Sequence, residues 1–219
     1  MCGRYILGDS TWAAYHAALS IIEPSPKADV SYNIKPTQSV NIAFWDDGAL
    51  KADLARWWFV PRWHRGDVKE WKATTFNARI ETAHEKNTFR GAWKTGRCLI
   101  PATSYYEWTG PKGKKQPWVI NVAQNNPVFF FAGLYSELHD GSKTCSIVTR
   151  EADPQITELH PRMPVILSGD QMMPWITSEA TDAQVWDSFG TGWDFNFHRV
   201  APFGIKDDGP ELIDRGDLF

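Results

Sequence analysis

Across residues 97–149 the chain reads as one short strand after another, and this succession most narrows the folds open to it. Residues 97–100, 104–109, 118–122, 128–135 and 144–149 are runs rich in β-branched and aromatic side chains, separated by turn residues such as the basic Gly110-Pro111-Lys112-Gly113-Lys114-Lys115. Earlier in the chain, residues 5–7 suit a further strand. Residues 39–45 and 50–60 flank Asp46-Asp47-Gly48, a hairpin signature. Helical spacing is weaker and scattered, over residues 10–22, from about Glu81 to Trp93, and near 153–159 and 178–188, with a late strand at 195–200. The Pro- and Ser-rich stretch through Pro36, and the stretch from the hairpin to about Thr75, read as loops. The expected class is therefore α+β: a mainly antiparallel, barrel-like sheet with a few peripheral helices.

With 219 residues and 42% hydrophobic content, the chain suits one well-buried core, and residues 1–219 are expected to form a single domain. No basic segment followed by an apolar run opens the sequence, and the apolar stretch 128–135 is too short to cross a bilayer. A soluble cytoplasmic monomer without membrane contact is expected. Three cysteines, Cys2, Cys98 and Cys145, form no CxxC pair and no Cys/His spacing of a zinc site, so neither a disulfide framework nor a metal is expected. Cys98 and Cys145 lie in strand-like segments and read as small core residues.

A net charge of −3 conceals an asymmetry. Residues 51–115 carry 14 Lys and Arg against 6 Asp and Glu, whereas the rest carry 9 against 20. One basic face on an acidic body is the expectation, and such a face attracts phosphates. Twelve tryptophans are present, and Trp57, Trp58, Trp63, Trp71 and Trp93 fall within the basic segment. Rings among cations are the ingredients of a single-strand stacking platform, although core packing uses the same residues.

The chemistry-bearing residues start at the N-terminus. If Met1 is trimmed, Cys2 carries an α-amine and a thiol on adjacent carbons. Such a 1,2-aminothiol condenses with an aldehyde to an imine, on which the sulfur closes a five-membered thiazolidine. Reference pKa values of roughly 8 and 8.5 leave both nucleophiles partly available near neutral pH. Asn33 lies in a Pro-bounded loop. Asn77 and Arg79 stand two residues apart, so an extended backbone sends both toward one face. Glu107 is embedded in Tyr105-Tyr106-Glu107-Trp108, where burial raises a carboxyl toward the range useful for proton transfer. His160 directly precedes Pro161, and Arg162 lies between Pro161 and Pro164. Each has a plain structural alternative: turn bonding for the asparagines, an outward strand position for Glu107, packing for His160.

Taken together these segments resemble the SRAP family, SOS response-associated peptidase-like proteins. The resemblance runs in order through Cys2-Gly3-Arg4-Tyr5, Tyr32-Asn33 with Pro36, Trp57 with Pro61 and Trp63, Asn77-Ala78-Arg79 with Glu81-Thr82, Arg97-Cys98 with Pro101, Tyr106-Glu107-Trp108, Gln116-Pro117, Ala132-Gly133-Leu134, and His160 with Arg162-Met163-Pro164. It departs at Trp58, where the family usually has Gly, and at Val200-Ala201-Pro202-Phe203-Gly204, which lacks the usual Ser and Asn. The resemblance implies an abasic-site protein of the DNA damage response that needs no cofactor. In it, Cys2, freed by autoprocessing, crosslinks to the ring-opened sugar of an abasic site in single-stranded DNA. It assigns Asn77 to the sugar, Glu107 to proton shuttling and His160 to acid–base assistance. Arg4, Arg79 and Arg162 are assigned to phosphates, with Asn33 beside them and Trp63 near the DNA path. In a bacterial host it implies a nucleoid-associated protein. A thiol peptidase using Cys2, and a non-catalytic single-strand binding module, are the competing readings.

Overall fold

A computed structural model describes residues 2–8, 19, 26, 28–123 and 128–216. Thirteen strands dominate it: β1 (Tyr5–Leu7), β2 (Ser31–Ile34), β3 (Ser39–Asp46), β4 (Ala49–Trp57), β5 (Asn77–Arg79), β6 (Arg97–Ala102), β7 (Ser104–Thr109), β8 (Gln116–Val122), β9 (Phe129–Glu137), β10 (Lys143–Glu151), β11 (Arg162–Pro164), β12 (Ile166–Leu167) and β13 (Phe195–Arg199). Three short helices are described, α1 (Arg90–Thr95), α2 (Gly169–Ile176) and α3 (Asp182–Ser188). The α+β expectation holds.

The strands form two sheets. One has the order β13-β8-β7-β1-β2 and is antiparallel throughout. In the other, β10 pairs with both β4 and β9, so β10, β4, β3, β6 and β9 close into a ring. The two parallel pairings in this sheet, β10 with β4 and with β5, join segments distant in sequence. Period-2 alternation then places successive residues in two different cores. Ile42, Phe44, Cys98, Ile100, Phe131, Cys145 and Ile147 pack in one cluster with Tyr5, Trp57 and Tyr105. Ala43, Leu99, Phe130, Ala132, Leu134 and Val148 face the other way and pack with Trp93 of α1, Trp175 of α2 and Val185 of α3.

Two strands meet at Gly133 so closely that a Cβ there would lie 2.7 Å from Cys98 Sγ and 2.9 Å from Ile100 Cδ1. The Asp46-Asp47-Gly48 hairpin forms as its residues require, with φ of 50° at Asp47 and 76° at Gly48.

Several elements differ from expectation. The Pro- and Ser-rich stretch contains β2, because Tyr5 and Leu7 of β1 offer it an antiparallel partner. β4 ends at Trp57 rather than Val60. Helix in the expected 81–93 stretch starts only at Arg90 and runs on to Thr95, the earlier part being turns, and 154–159 is likewise turns. α2 went unforeseen because Gly169 and Pro174 argue against a helix, although its Ser168/Gln171 capping box is a legible start signal. The helix expected over 10–22 lies, except for Leu19, outside the described residues. Trp57 and Trp93 are core residues, 0% and 3% exposed, not part of a surface platform.

Candidate functional site

Strand β1 brings the N-terminal residues against β7 and β5. Tyr5 sits opposite Tyr105 in the antiparallel ladder, and Tyr106 N–H donates to the Arg4 carbonyl at 3.0 Å. Cys2 thus lies just before a strand wedged into the sheet, fully buried in the same cluster as Tyr105. Its carbonyl accepts a 2.9 Å hydrogen bond from Asn77 Nδ2. Its thiol lies 3.9 Å from the Arg4 carbonyl, and burial, reinforced by the charge of Glu107, pushes the thiol's pKa far above the ordinary thiol range.

Alternation along β7 sets Glu107 on the face that Tyr105 shares, while Tyr106 packs in a third cluster with Ile6 and Val119. Only 4% exposed, Glu107 loses hydration of its charged form, and burial raises its carboxyl to a pKa of about 7. A carboxyl at that value gives and takes protons equally well near neutral pH. Tyr105 interacts electrostatically with both Cys2 and Glu107, and its buried hydroxyl has no hydrogen-bond partner among the described residues.

β5 supplies Asn77, Ala78 and Arg79 in extended conformation beside Ile147–Thr149 of β10, and Arg79 is exposed. Asn77 Oδ1 is a buried acceptor without a partner among the described residues. His160 follows a series of turns and is half-buried. Its Nδ1 lies 2.9 Å from the Arg162 backbone nitrogen and 3.0 Å from the Arg162 carbonyl oxygen, so the backbone of Arg162 fixes the ring's orientation. Burial, with smaller contributions from nearby positive charge, lowers its pKa, so the neutral ring prevails at pH 7. The charge of Lys115 acts on both His160 and Glu107.

The cations are less free than their spacing suggests. Arg162 forks onto Glu81 at 2.5 and 2.9 Å and also donates to the Thr149 carbonyl at 2.6 Å. Burial pushes the Glu81 carboxyl up, but Arg162 outweighs this and holds it below its usual range. Arg4 donates to Asn33 Oδ1 at 2.6 Å and lies 5.7 and 5.9 Å from the ring centres of Trp108 and Phe203. Asn33 itself is fully buried. Trp63 is 56% exposed and meets Trp71 edge-on, beside a cavity of about 310 Å³ walled by α1, away from the contacts that join Cys2, Asn77 and Glu107.

The structure therefore assembles Cys2, Asn77 and Glu107 around one buried point and adds Tyr105. Period 2 along β7 was the signal that could have found Tyr105. Phe203 and the turn after it carried no such signal. Among the described residues no cluster of His, Cys, Asp and Glu is arranged to hold a metal ion.

Comparison with other proteins identifies the family. A family model described as SOS response associated peptidase (SRAP) matches residues 1–202. The abasic site processing protein YoaM of Bacillus subtilis is 33% identical over 232 residues, covering 98% of each chain. The abasic site processing protein YedK of Escherichia coli is 30% identical over 227 residues, covering 97% of this chain and 99% of its own. A crystal structure of a protein from Bacteroides thetaiotaomicron shares the fold, with a TM-score of 0.77 at 21% identity over 98% of this chain and all of that one. A sequence match spanning nearly the whole chain, with the Cys2, Asn77 and Glu107 segments inside it, places this protein in the SRAP family.

Proposed function

We propose that this protein captures abasic sites in single-stranded DNA covalently, through Cys2 after release of Met1. The observation that carries this reading is the buried Glu107 carboxyl, poised near neutral pH beside an N-terminal cysteine whose carbonyl Asn77 holds. The names of its relatives, abasic site processing proteins, support the substrate class.

The chemistry balances with these groups alone. The Cys2 amine adds to the C1′ aldehyde of the ring-opened sugar, and protonated Glu107 gives its proton to the departing hydroxyl. One water leaves and a protonated imine, the iminium, remains. The Cys2 thiol, kept protonated by burial, needs a base at the moment of attack, and the newly ionised Glu107 accepts that proton. Sulfur closes on C1′, a thiazolidine forms, and the carboxyl ends as it began. Asn77 Oδ1 is an acceptor available to a sugar hydroxyl, and neutral His160 assists proton transfer during ring opening. Release of Met1 by the protein itself is the one peptide cleavage this reading requires. Single-stranded substrate fits a nucleophile this deeply set, because a stacked, paired sugar does not reach it.

Intact-mass measurement before and after incubation with abasic single-stranded DNA tests the proposal. A covalent adduct that accounts for the loss of one water, on protein lacking Met1, is expected. A mass unchanged by the DNA, or an adduct equally fast on protein retaining Met1, overturns it.

A further inference from the structure

Every hydrogen-bonding group of the Asn33 amide is used inside the protein. Oδ1 accepts from Arg4 Nη1 at 2.6 Å, while Nδ2 donates to the carbonyls of Gly204 at 3.1 Å and Asp207 at 2.6 Å. With no exposed surface, this side chain cannot meet a ligand directly. Its two donors reach a turn, residues 203–208. That turn is tied down independently: Gly204 N–H donates to Asp207 Oδ2 at 2.6 Å, Tyr32 N–H donates to Asp208 Oδ1 at 2.6 Å, and Lys35 Nζ donates to the Ile205 carbonyl. Phe203 packs 4.8 Å from Tyr106 and closes the aromatic seat of Arg4.

On the outer side Arg4 borders an open cavity of about 380 Å³, whose wall also includes Lys35, Pro36, Thr37, Gln38 and the 68% exposed Ile205. Two cations at an open cavity suit a phosphate. A long flexible side chain held in place before the ligand arrives loses less freedom on binding.

We infer that Asn33, gripped by the 203–208 turn, is the positioning residue that presets Arg4 for a backbone phosphate of the single strand. This inference rests on the proposed function but is read by plain binding, so the two can fail separately. The probe is a labelled, intact single-stranded oligonucleotide titrated at several salt concentrations against wild type, Arg4→Ala, Asn33→Ala, the double variant and Asp207→Ala. Asn33→Ala should weaken binding about tenfold, the scale of one charge-assisted contact. In the Arg4→Ala background the same change should cost nothing further. Asp207→Ala, which removes the carboxylate that holds Gly204 N–H but keeps the carbonyl that Asn33 engages, should show a smaller loss that also vanishes without Arg4. With abasic DNA at saturation, the single-turnover rate of Asn33→Ala should stay within about threefold of wild type, because the loss falls on binding rather than chemistry.

Losses that add in full to Arg4→Ala would overturn the inference, as would an unchanged affinity or a collapse of the saturated rate. Failure of the wild type to bind the oligonucleotide overturns it as well, whereas absence of an abasic adduct despite binding overturns the proposed function alone.

Discussion

Cys2 and Cys98 are equally buried, yet their surroundings make them different reagents. Both thiols are pushed well above the ordinary range, first by burial in each case. Cys98 sits within β6, crossed at close range by Gly133, and its carbonyl accepts the Trp175 indole N–H at 3.0 Å. The group that acts on its thiol is Cys145, itself pushed up by burial. Cys2 lies outside any strand, with Glu107 acting on its thiol and Asn77 on its carbonyl. Burial by itself silences a thiol, and the neighbouring acid–base groups decide whether that silence can be lifted.

The largest effect should come from removing this difference outright. Cys2→Ser, or one extra residue retained before Cys2, should abolish adduct formation in the mass assay, since an amide nitrogen cannot form the imine and a hydroxyl cannot replace the sulfur. Cys98→Ala should leave the adduct intact. An adduct that depends on Cys98 instead would dissolve the contrast.

Glu107→Gln should keep the fold and DNA affinity while slowing single-turnover crosslinking by about 10²–10⁴-fold. Because the folded carboxyl titrates at about 7, above its unfolded value, the share of protonated Glu107 falls as pH rises through that value. The proton-donating step should therefore slow above about pH 7, and the Gln variant should lose that inflection. The same shift gives a stability readout: the contribution of Glu107 is full below about pH 4.3 and is lost as pH rises through about 7. Denaturant melts of wild type and variant across that window check the sign.

Gly133→Ala sharpens the comparison from the other side. The added methyl meets Cys98 and Ile100 below contact distance, so unfolding free energy should fall by about 1–3 kcal/mol. Crosslinking by the folded fraction should not change, which confines the damage to the silent cysteine's region. The smallest effect concerns Arg79, exposed at the end of β5. Arg79→Ala should make the salt dependence of single-strand affinity shallower by about 0.7. An unaltered slope would remove Arg79 from the DNA path.

Much of the fold was legible because strands announce themselves locally. The β3–β4 hairpin follows from Asp46-Asp47-Gly48, β7 from its aromatic alternation, and the shared side of Asn77 and Arg79 from two-residue spacing. β2 was hidden because its strand character comes from pairing with β1 rather than from its own composition. The turn at 203–208 was hidden because its role lies in two backbone carbonyls, and any residue types present those.

For the site, the residue types of Cys2, Asn77, Glu107 and His160 marked them as chemically capable without showing which of them meet. Thiol, amine, carboxyl and amide reactivity belong to single side chains, and alternation along a strand depends only on near neighbours, so the sequence by itself determined the candidate chemistry and most strands. The tertiary structure alone decided that Glu107 is buried enough to titrate near 7, that Asn77 holds Cys2, and that Arg162 is bound to Glu81 while Arg4 is fixed by Asn33. Desolvation and hydrogen-bond partnership arise between segments far apart in the chain, and they exist only once the ring of β10, β4, β3, β6 and β9 has closed and β1 has docked against β7.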